Sequence, residues 1–514
     1  MHAKICSATT IGVKSYLVEV EVDLGMGIME FSIVGLADTA IKESRQRIRT
    51  AFKNSGLQLP QRKITVNLAP ASLKKEGTLF DLAIAVGILQ AAQQINLTSE
   101  FMQETLFLGE MALDGAIRAV RGALPIAYEM QSLGKKRLIL PEVNAHEAAL
   151  IEGIEVIGVA SLSQLIDYLQ GVTVITPTAS KWAELRQKQV ETDLDFSQVK
   201  GQEQAKRALQ IGAAGWHNLL FVGSPGSGKT MLAKRITTIM PQMSFDEVIE
   251  ASKVYSVSSK LDAAALQTTR PFRSPHHTIS QAGLVGGGSN PQPGEISLAH
   301  KGVLFLDELT EFRKGTLEVL RQPLESKQVS ISRALQTVSY PADFLLIVAF
   351  NPCPCGYFGD KRKNCVCSEQ VIQRYLAKLS GPLLDRIDVQ IPVYSLDYDV
   401  VADKTISARS SADLMAGVIV AIKAQLARFG GVRWNSQMGP DEIERFCILT
   451  PEAQQLIKRV FDALSLSMRG YHKILKVART IADLDGSVRI EVQHIKEAVM
   501  YRSLDQKMEQ INGV

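Results

Sequence analysis

One eight-residue segment constrains this chain more than any other. Residues 223–230 read GSPGSGKT and directly follow the apolar, strand-like run 219–222. This is the G-x-x-x-x-G-K-[ST] phosphate loop in its required context, after a strand and before a helix. Its glycines let the backbone fold back so that N–H groups face phosphate oxygens. The candidate nucleotide-binding residues are Gly223, Ser224, Pro225, Gly226, Ser227, Gly228, Lys229 and Thr230.

The last two residues of this loop carry specific chemistry. Lys229 can reach the β- and γ-phosphates of a nucleotide, and the hydroxyl of Thr230 is a natural Mg²⁺ ligand. A glycine-rich turn that binds nothing is the alternative. Lysine and threonine in register, together with an acidic strand end downstream, argue against that alternative. The sequence therefore predicts a protein that binds ATP or GTP with Mg²⁺.

Composition is that of a soluble globular protein. The 514 residues are 46% hydrophobic and 21% charged, which suits about three domains. The longest apolar run, residues 82–89, is far too short for a membrane span, and the first residues lack a signal peptide. We expect a cytoplasmic protein without disulfides and without a membrane partner. Because the net charge is only +4, any polyanion must bind at a local patch.

Periodicity divides the chain into four parts. Residues 1–170 mix β-branched strands with amphipathic helices, and a polar linker spans 171–197. In 198–395, apolar runs alternate with helical segments, which is typical of a parallel α/β sheet. The period is helical in 396–514, with candidate helices at 418–429, 451–464, 472–485 and 492–502. The predicted fold class is α/β: a phosphate-loop core and a helical C-terminal domain, preceded by an α+β domain.

Acidic and amide side chains follow two further apolar runs. Residues 303–306 precede Asp307 and Glu308, and residues 344–350 precede Asn351. In a parallel sheet these strand ends meet the phosphate loop at one edge. Asp307 would hold Mg²⁺, Glu308 would orient and polarise the attacking water, and Asn351 would contact the γ-phosphate or that water. The alternatives are a strand that happens to end in two acids and an asparagine that only caps its strand.

Two insertions flank the acidic strand. Residues 328–332 and 335–340 alternate with a period of two and predict a β-hairpin, which Lys327 and Arg333 would crown. The other insertion, 269–294, carries His276 and His277 ahead of a glycine-rich loop. Adjacent histidines point apart on a strand, so contact with phosphate or with another subunit is favoured over a metal.

Four cysteines are spaced as C-x-C-x9-C-x-C. In a reducing compartment such paired thiolates suit a tetrahedral structural Zn²⁺ site. The spacing within each pair is shorter than the commoner C-x2-C, so free thiols and a redox switch remain open. The candidate zinc ligands are Cys353, Cys355, Cys365 and Cys367.

The order of these motifs resembles AAA+ ATPases of the magnesium-chelatase-like clade, most closely the ComM/YifB branch. The resemblance rests on the phosphate loop, LFLDE at 304–308, Asn351-Pro352, GPLLDRID at 381–388 and the CPCG run. It implies a homo-hexameric ring with ATP at each subunit interface, where Arg386 reaches the neighbour's γ-phosphate. It also implies a lid arginine that senses this phosphate, either Arg469 or its competitor Arg479. The hairpin would then project into the pore, where Lys327 and Arg333 grip DNA phosphates.

Residues 1–170 resemble the proteolytic domain of Lon, which has a ribosomal-S5-like α+β fold. The resemblance is carried by residues 67–71, 109–115 and 138–141. Leu79 stands where that protease has its serine, and Leu124 stands near the position of its lysine. A leucine can neither attack a carbonyl nor remove a proton. The domain is therefore expected to be a scaffold for assembly or substrate engagement.

The resemblance implies an ATP-driven hexameric DNA translocase, a branch-migration helicase in homologous recombination during natural transformation. One alternative is a magnesium-chelatase-like motor subunit that remodels a protein partner. The fused Lon-like domain and the cysteine cluster argue against it, because chelatase motor subunits lack both. An ATP-dependent protease is disfavoured by the two leucines.

Overall fold

The structure is a computed structural model. It describes residues 1–75, 77–187, 193–258, 266–288, 291–332, 337–360, 362–379, 381–396 and 408–502. The expected fold class is confirmed, because a mixed-sheet domain, a parallel-sheet core and a group of helices follow one another along the chain. No helix in these described ranges combines the length and the apolarity needed to cross a bilayer.

The N-terminal domain is built on a seven-stranded mixed sheet. Helix Asp81–Ala91 is buried over nearly its whole length against this sheet, as expected for a helix that is apolar on all sides. The strands of the domain are β1 (His2–Ile11), β2 (Lys14–Gly25), β3 (Phe31–Val34), β4 (Lys63–Ala69), β5 (Thr105–Phe107), β6 (Glu110–Met111), β7 (Ile117–Arg118), β8 (Arg137–Pro141) and β9 (Glu155–Val159). The sheet has the order β3-β4-β2-β1-β5-β8-β9, and β6 and β7 form a separate hairpin. The other helices are Thr39–Asn54, Ser99–Glu104, Ala123–Ser132, Glu142–Ala148 and Leu162–Leu169.

The core domain contains a five-stranded parallel sheet. Its strands are β10 (Leu219–Val222), β11 (Phe272–Arg273), β14 (Val303–Leu306), β17 (Leu345–Phe350) and β18 (Val389–Pro392). They lie in the order β11-β14-β17-β10-β18. The central strands are almost continuously apolar because both faces of the sheet are covered. Since the strands are parallel, the segments that follow β10, β14 and β17 lie close together at the carboxyl-terminal ends of the strands.

Two small hairpins and a set of short helices complete the core. The hairpins are β12 (Gly286–Gly287) with β13 (Gln292–Pro293), and β15 (Gln328–Ser332) with β16 (Thr337–Pro341). The helices are Trp182–Gln187, Glu203–Gly215, Lys229–Arg235, Phe245–Val257, Gln281–Val285, Glu295–Leu298, Lys314–Glu318, Arg321–Ser326, Glu369–Leu376 and Gly381–Leu384. Single 3-10 turns lie at Phe196–Gln198, Ile236–Thr238 and Leu309–Glu311.

The C-terminal helices pack on the core as part of one apolar cluster, which includes helix Glu203–Gly215 and one face of the parallel sheet. At this junction Trp216 of the core stacks on Trp434, with ring centroids 5.1 Å apart. The helices are Ser411–Phe429, Pro440–Phe446, Pro451–Ala463, Met468–Leu484 and Val492–Met500, with a 3-10 turn at Asn435–Gln437.

A polar contact joins the N-terminal domain to helix Phe245–Val257 of the core. Glu147, which is buried, accepts hydrogen bonds from Asn144 Nδ2 at 2.7 Å and from Ser256 Oγ at 3.2 Å. Loss of solvent raises the pKa of Glu147 to about 7, although both hydrogen bonds act in the opposite direction.

Candidate nucleotide-binding site

The phosphate loop connects β10 to helix Lys229–Arg235. Gly226 and Gly228 have φ angles of +76° and +93°, values that side-chain-bearing residues rarely adopt. Ser227 Oγ is buried, and the described residues offer it no hydrogen-bond partner. A buried hydroxyl without a partner is costly unless a ligand satisfies it, so this position fits a phosphate oxygen.

Lys229 is held in place by three oxygen atoms. Its Nζ donates to the carbonyls of Gly223 at 2.7 Å and Ser224 at 3.0 Å, and to Asn351 Oδ1 at 3.1 Å. Burial lowers the pKa of Lys229, while the charges of Asp307 and Glu308 oppose that shift. The structure thus brings Asn351 and Lys229 into direct contact.

Thr230 and Asp307 form the predicted Mg²⁺ position. Thr230 Oγ1 donates to Asp307 Oδ2 at 2.5 Å, and Asp307 Oδ1 accepts the backbone N–H of Glu308 at 2.9 Å. A hydroxyl and a carboxylate oxygen therefore lie side by side next to the phosphate loop. Oxygen ligands of this kind suit Mg²⁺ bound together with substrate phosphates.

Glu308 has a partner that the sequence did not reveal. Its Oε2 lies 3.1 Å from Nδ1 of His277, and its backbone has a φ of +52°. His277 follows β11, the strand beside β14, so both residues emerge at the same sheet edge. His276 Nδ1 lies 2.9 Å from Thr278 Oγ1, and its ring lies against that of His277 with centroids 4.1 Å apart. The expectation that the two histidines point apart is therefore wrong, because they follow the short strand β11 in a turn and not in a strand. The contact between His277 and Glu308 arises because β11 lies beside β14 in the sheet. That strand order cannot be predicted from the short motif around Glu308.

Arg386 lies at the amino-terminal end of the parallel strands, whereas the phosphate loop lies at their carboxyl-terminal end. It comes just before β18, whose first residue, Val389, pairs with Leu219 at the start of β10. The phosphate loop begins after Val222, so a four-residue strand, about 13 Å long, separates it from Arg386. The guanidinium of Arg386 pairs with Glu325. Within one chain, Arg386 is therefore remote from the phosphate loop.

Arg469 lies beside Arg386 and not beside the phosphate loop. Its guanidinium is 3.9 Å from Glu325 and 3.8 Å from Asp385. The expected contact between a lid arginine and the γ-phosphate is thus not formed within one chain, because the C-terminal helices pack toward the edge where β18 begins. Arg479, the competing candidate, is buried, binds Asp483 at 3.1 Å and donates to two backbone carbonyls. Its role is structural.

The predicted hairpin is present as β15 and β16. The two strands alternate between buried and exposed residues, as the sequence pattern indicates. Lys327 lies at the base of the hairpin, because the next residue, Gln328, pairs with Pro341, and its Nζ is 2.9 Å from Asp343 Oδ1. The expectation that Lys327 crowns the hairpin is wrong. Arg333 lies outside the described residues.

The four cysteines converge on one point. Cys353 Sγ is 3.3 Å from Cys355 Sγ and 3.6 Å from Cys365 Sγ, and all four sulfurs lie within 4.8 Å of one another. Zinc–sulfur bonds of about 2.3 Å in a tetrahedron place sulfurs about 3.8 Å apart. All four are free thiols. Within the described part of the chain, no other group of histidine, cysteine or acidic side chains is arranged to share a metal.

Leu79 and Leu124 of the N-terminal domain lie in one apolar cluster. Leu124 is fully buried, and Leu79 packs against the same cluster. Next to Leu79, the hydroxyl of Thr78 donates to Glu110. Neither a nucleophile nor a base stands at the two positions that the resemblance compares with the protease dyad.

Three family descriptions, all of the magnesium-chelatase subunit ChlI, match most of the chain. The description "Magnesium chelatase, subunit ChlI" matches residues 195–401, and its C-terminal counterpart matches residues 408–502. "Subunit ChlI of Mg-chelatase" matches residues 20–144. These matches cover the phosphate loop, Asp307, Glu308, Arg386 and Arg469.

Two relatives align over nearly the full length of this chain. "Uncharacterized protein YifB" of Escherichia coli is 42% identical over 96% of this chain and 96% of its own length. "Competence protein ComM" of Haemophilus influenzae is 41% identical over 100% of this chain and 99% of its own length. The "Magnesium-chelatase 38 kDa subunit" of Rhodobacter capsulatus is 25% identical over 30% of this chain and 50% of its own length. The chain belongs to the ComM/YifB family, whose core is a magnesium-chelatase-type AAA+ ATPase domain.

Proposed function

We propose that this protein is an ATP-driven, homo-hexameric DNA translocase of the cytoplasm. It would promote branch migration in homologous recombination during natural transformation. One observation carries the proposal: the phosphate loop and both acids lie together at one end of the parallel strands, and Arg386 lies at the other end. A neighbouring subunit would bring its Arg386 to this site, and head-to-tail packing of identical subunits closes into rings. The name of the Haemophilus influenzae relative supplies the link to competence.

Hydrolysis follows from the residues around Lys229. Thr230 and Asp307 would hold Mg²⁺, which screens the charge of the ATP phosphates. Lys229 binds the β- and γ-phosphates, and Asn351 orients the lysine. Glu308 orients and polarises the attacking water. Arg386 and Arg469 of a neighbouring subunit would neutralise the charge that develops in the transition state.

DNA would be gripped in the pore by the hairpin β15–β16. Arg333 lies between its two strands in the sequence and is the proposed phosphate contact. Lys327 contributes less in this proposal, because Asp343 already pairs with its charge. A grip on the phosphate backbone does not depend on base sequence, as translocation along DNA requires.

We also propose Zn²⁺ at Cys353, Cys355, Cys365 and Cys367. Their sulfur separations suit tetrahedral coordination by four thiolates.

The alternative is a motor subunit that remodels a protein partner, as the family descriptions for magnesium chelatase suggest. The full-length relation to the relative named competence protein ComM favours the DNA function, whereas the chelatase subunit aligns with only 30% of this chain. The discriminating experiment is ATP-dependent strand displacement on forked and four-way DNA, with a blunt duplex as the control substrate. We expect displacement of branched DNA by the wild type and none by Glu308→Gln. A protein that hydrolyses ATP but never binds or displaces branched DNA would support the alternative.

A further inference from the structure

The cysteine cluster lies in a segment that has little regular structure of its own. Between Phe350, where β17 ends, and Glu369, where the next helix begins, the described residues form turns and bends but no helix or strand. Cys353 is fully buried in the apolar cluster below the sheet edge, and the other three cysteines pack around it. The cysteines therefore connect the two ends of this segment, which we call the cysteine loop (residues 351–367).

The cysteine loop contacts the middle of the phosphate loop, at Pro225. Gly356 has a φ of +83°, and a Cβ atom there would lie 2.4 Å from Cδ of Pro225. The backbone of Gly356 thus packs directly on the proline ring of the phosphate loop. Such a close approach admits no side chain.

A polar contact joins the two loops beside this packing. Asn351 accepts a hydrogen bond from Lys229 at 3.1 Å, two residues before the first cysteine. Further along, Asp360 lines the same cleft as Ser224 of the phosphate loop. The cysteine loop therefore contacts the phosphate loop directly at Asn351 and Gly356 and borders it at Asp360.

We propose that zinc bound by the four cysteines holds the cysteine loop against the phosphate loop, so that metal occupancy sets the affinity for nucleotide. The physical reason is that metal binding supplies folding free energy to a segment that lacks helix or strand. Without the metal, Gly356 and Asp360 lose their fixed position, and the phosphate loop loses the surface that shapes it. This role rests on the zinc site proposed above and is independent of any DNA activity.

The test measures zinc content and nucleotide affinity of the full-length protein without DNA. Zinc is quantified by atomic emission, and affinity is measured with a fluorescent, slowly hydrolysed ATP analogue. Wild-type protein is compared as zinc-loaded, as stripped with a chelator that is then removed, and as reloaded with Zn²⁺. We expect stripping to weaken binding about tenfold, equivalent to about 1.4 kcal/mol, and reloading to restore it.

Two variants separate the metal from the contact. Cys365→Ser should lose zinc and bind nucleotide as weakly as the stripped wild type. Gly356→Ala should keep zinc and still bind weakly, because its Cβ displaces Pro225. Cys6→Ser, which removes a cysteine of β1, is the matched control and should change neither quantity.

Three results would overturn the proposal. The first is wild-type protein that binds no zinc. The second is stripped protein that remains folded, as judged by circular dichroism, and binds nucleotide as tightly as the loaded form. The third is zinc-loaded Gly356→Ala with wild-type affinity. Because Gly356→Ala leaves all four thiols in place, misfolding of a cysteine variant cannot decide the outcome.

Discussion

Two residues of the nucleotide site are expected to fail in different ways when they are replaced. Glu308→Gln keeps the shape of the side chain but cannot polarise water, so nucleotide binding should persist while turnover stops. Lys229→Ala removes the charge that faces the phosphates and should weaken binding itself. Equilibrium binding and steady-state hydrolysis, measured on both variants, separate the two effects. Turnover by Glu308→Gln close to that of the wild type would exclude Glu308 as the catalytic carboxylate.

The contact between His277 and Glu308 leads to a second prediction. The imidazole contacts the Glu308 carboxylate oxygen that would otherwise contact the attacking water. His277→Ala should therefore raise ATP turnover in the absence of DNA. A hydrogen bond is worth about 0.5–1.5 kcal/mol, which corresponds to a two- to tenfold rise. His146→Ala, which changes an exposed histidine on helix Glu142–Ala148 of the N-terminal domain, is the control. Equal turnover by the two variants would show that the contact does not restrain Glu308.

The local motif predicted the phosphate loop residues because their roles depend on neighbours in sequence. Asn351 could also be predicted, since a residue at the end of a parallel strand must lie near that loop. His277 and Arg469 could not be assigned in the same way. Their neighbours depend on the order of the strands and on where the C-terminal helices pack, and neither is encoded in a short motif.

At the level of elements, helix Phe245–Val257 contacts the N-terminal domain through a buried carboxylate. In the folded protein the pKa of Glu147 is about 7, raised from an ordinary value of 4.5. Between these values the unfolded chain releases its proton while the folded chain retains it. Stability should therefore fall as pH rises from about 4.5 to 7 and then level off, by up to about 3 kcal/mol.

Glu147→Gln should remove this part of the pH dependence and unfold at a higher temperature than the wild type at pH 8. Glu142→Gln, which changes an exposed carboxylate on the same helix, is the matched control. Thermal unfolding of all three proteins at pH 5 and pH 8 makes the comparison. If the unfolding temperatures of the wild type and Glu147→Gln differ by the same amount at both pH values, Glu147 does not titrate in this range.

The hairpin β15–β16 provides the prediction about DNA. Arg333→Ala should weaken DNA binding similarly for all sequences and reduce the slope of log affinity against log salt by about one. Lys327→Ala should have a smaller effect, because that lysine pairs with Asp343 at the base of the hairpin. Basal ATPase should survive in the Arg333 variant. Binding isotherms at several salt concentrations make the measurement, and an unchanged slope would remove the hairpin from the proposed grip.

Most elements were predictable from periodicity, while their limits were not. The four C-terminal helices were expected at nearly their observed positions, although the first begins at Ser411, seven residues earlier than its apolar stripe indicated. The additional turns are set by the Ser410–Asp413 capping box and not by hydrophobic spacing. Helix Pro440–Phe446 was missed because seven residues give too few repeats to establish a period.

On the scale of the whole molecule, Arg386 and Arg469 of the C-terminal helices lie near the amino-terminal ends of the parallel strands. The phosphate loop lies at the carboxyl-terminal ends. This separation could not be predicted from the sequence, because sequence alone does not say on which side of a core a helical domain packs. It has a consequence for the proposed ring. There, Lys229 and Glu308 would act in one subunit, whereas Arg386 would act in its neighbour.

Mixing of inactive subunits tests this division of labour. Arg386→Ala alone should hydrolyse ATP about a thousandfold more slowly than the wild type while still binding it. In an equal mixture with Glu308→Gln, about a quarter of the interfaces combine an intact Glu308 with an intact neighbouring Arg386, since identical subunits assort at random around a ring. A mixture of Lys229→Ala with Glu308→Gln is the matched control and should stay inactive, because both residues are needed in the same subunit. Subunit exchange is verified by energy transfer between labelled subunits. If exchange occurs and neither mixture recovers hydrolysis, Arg386 does not act across the interface.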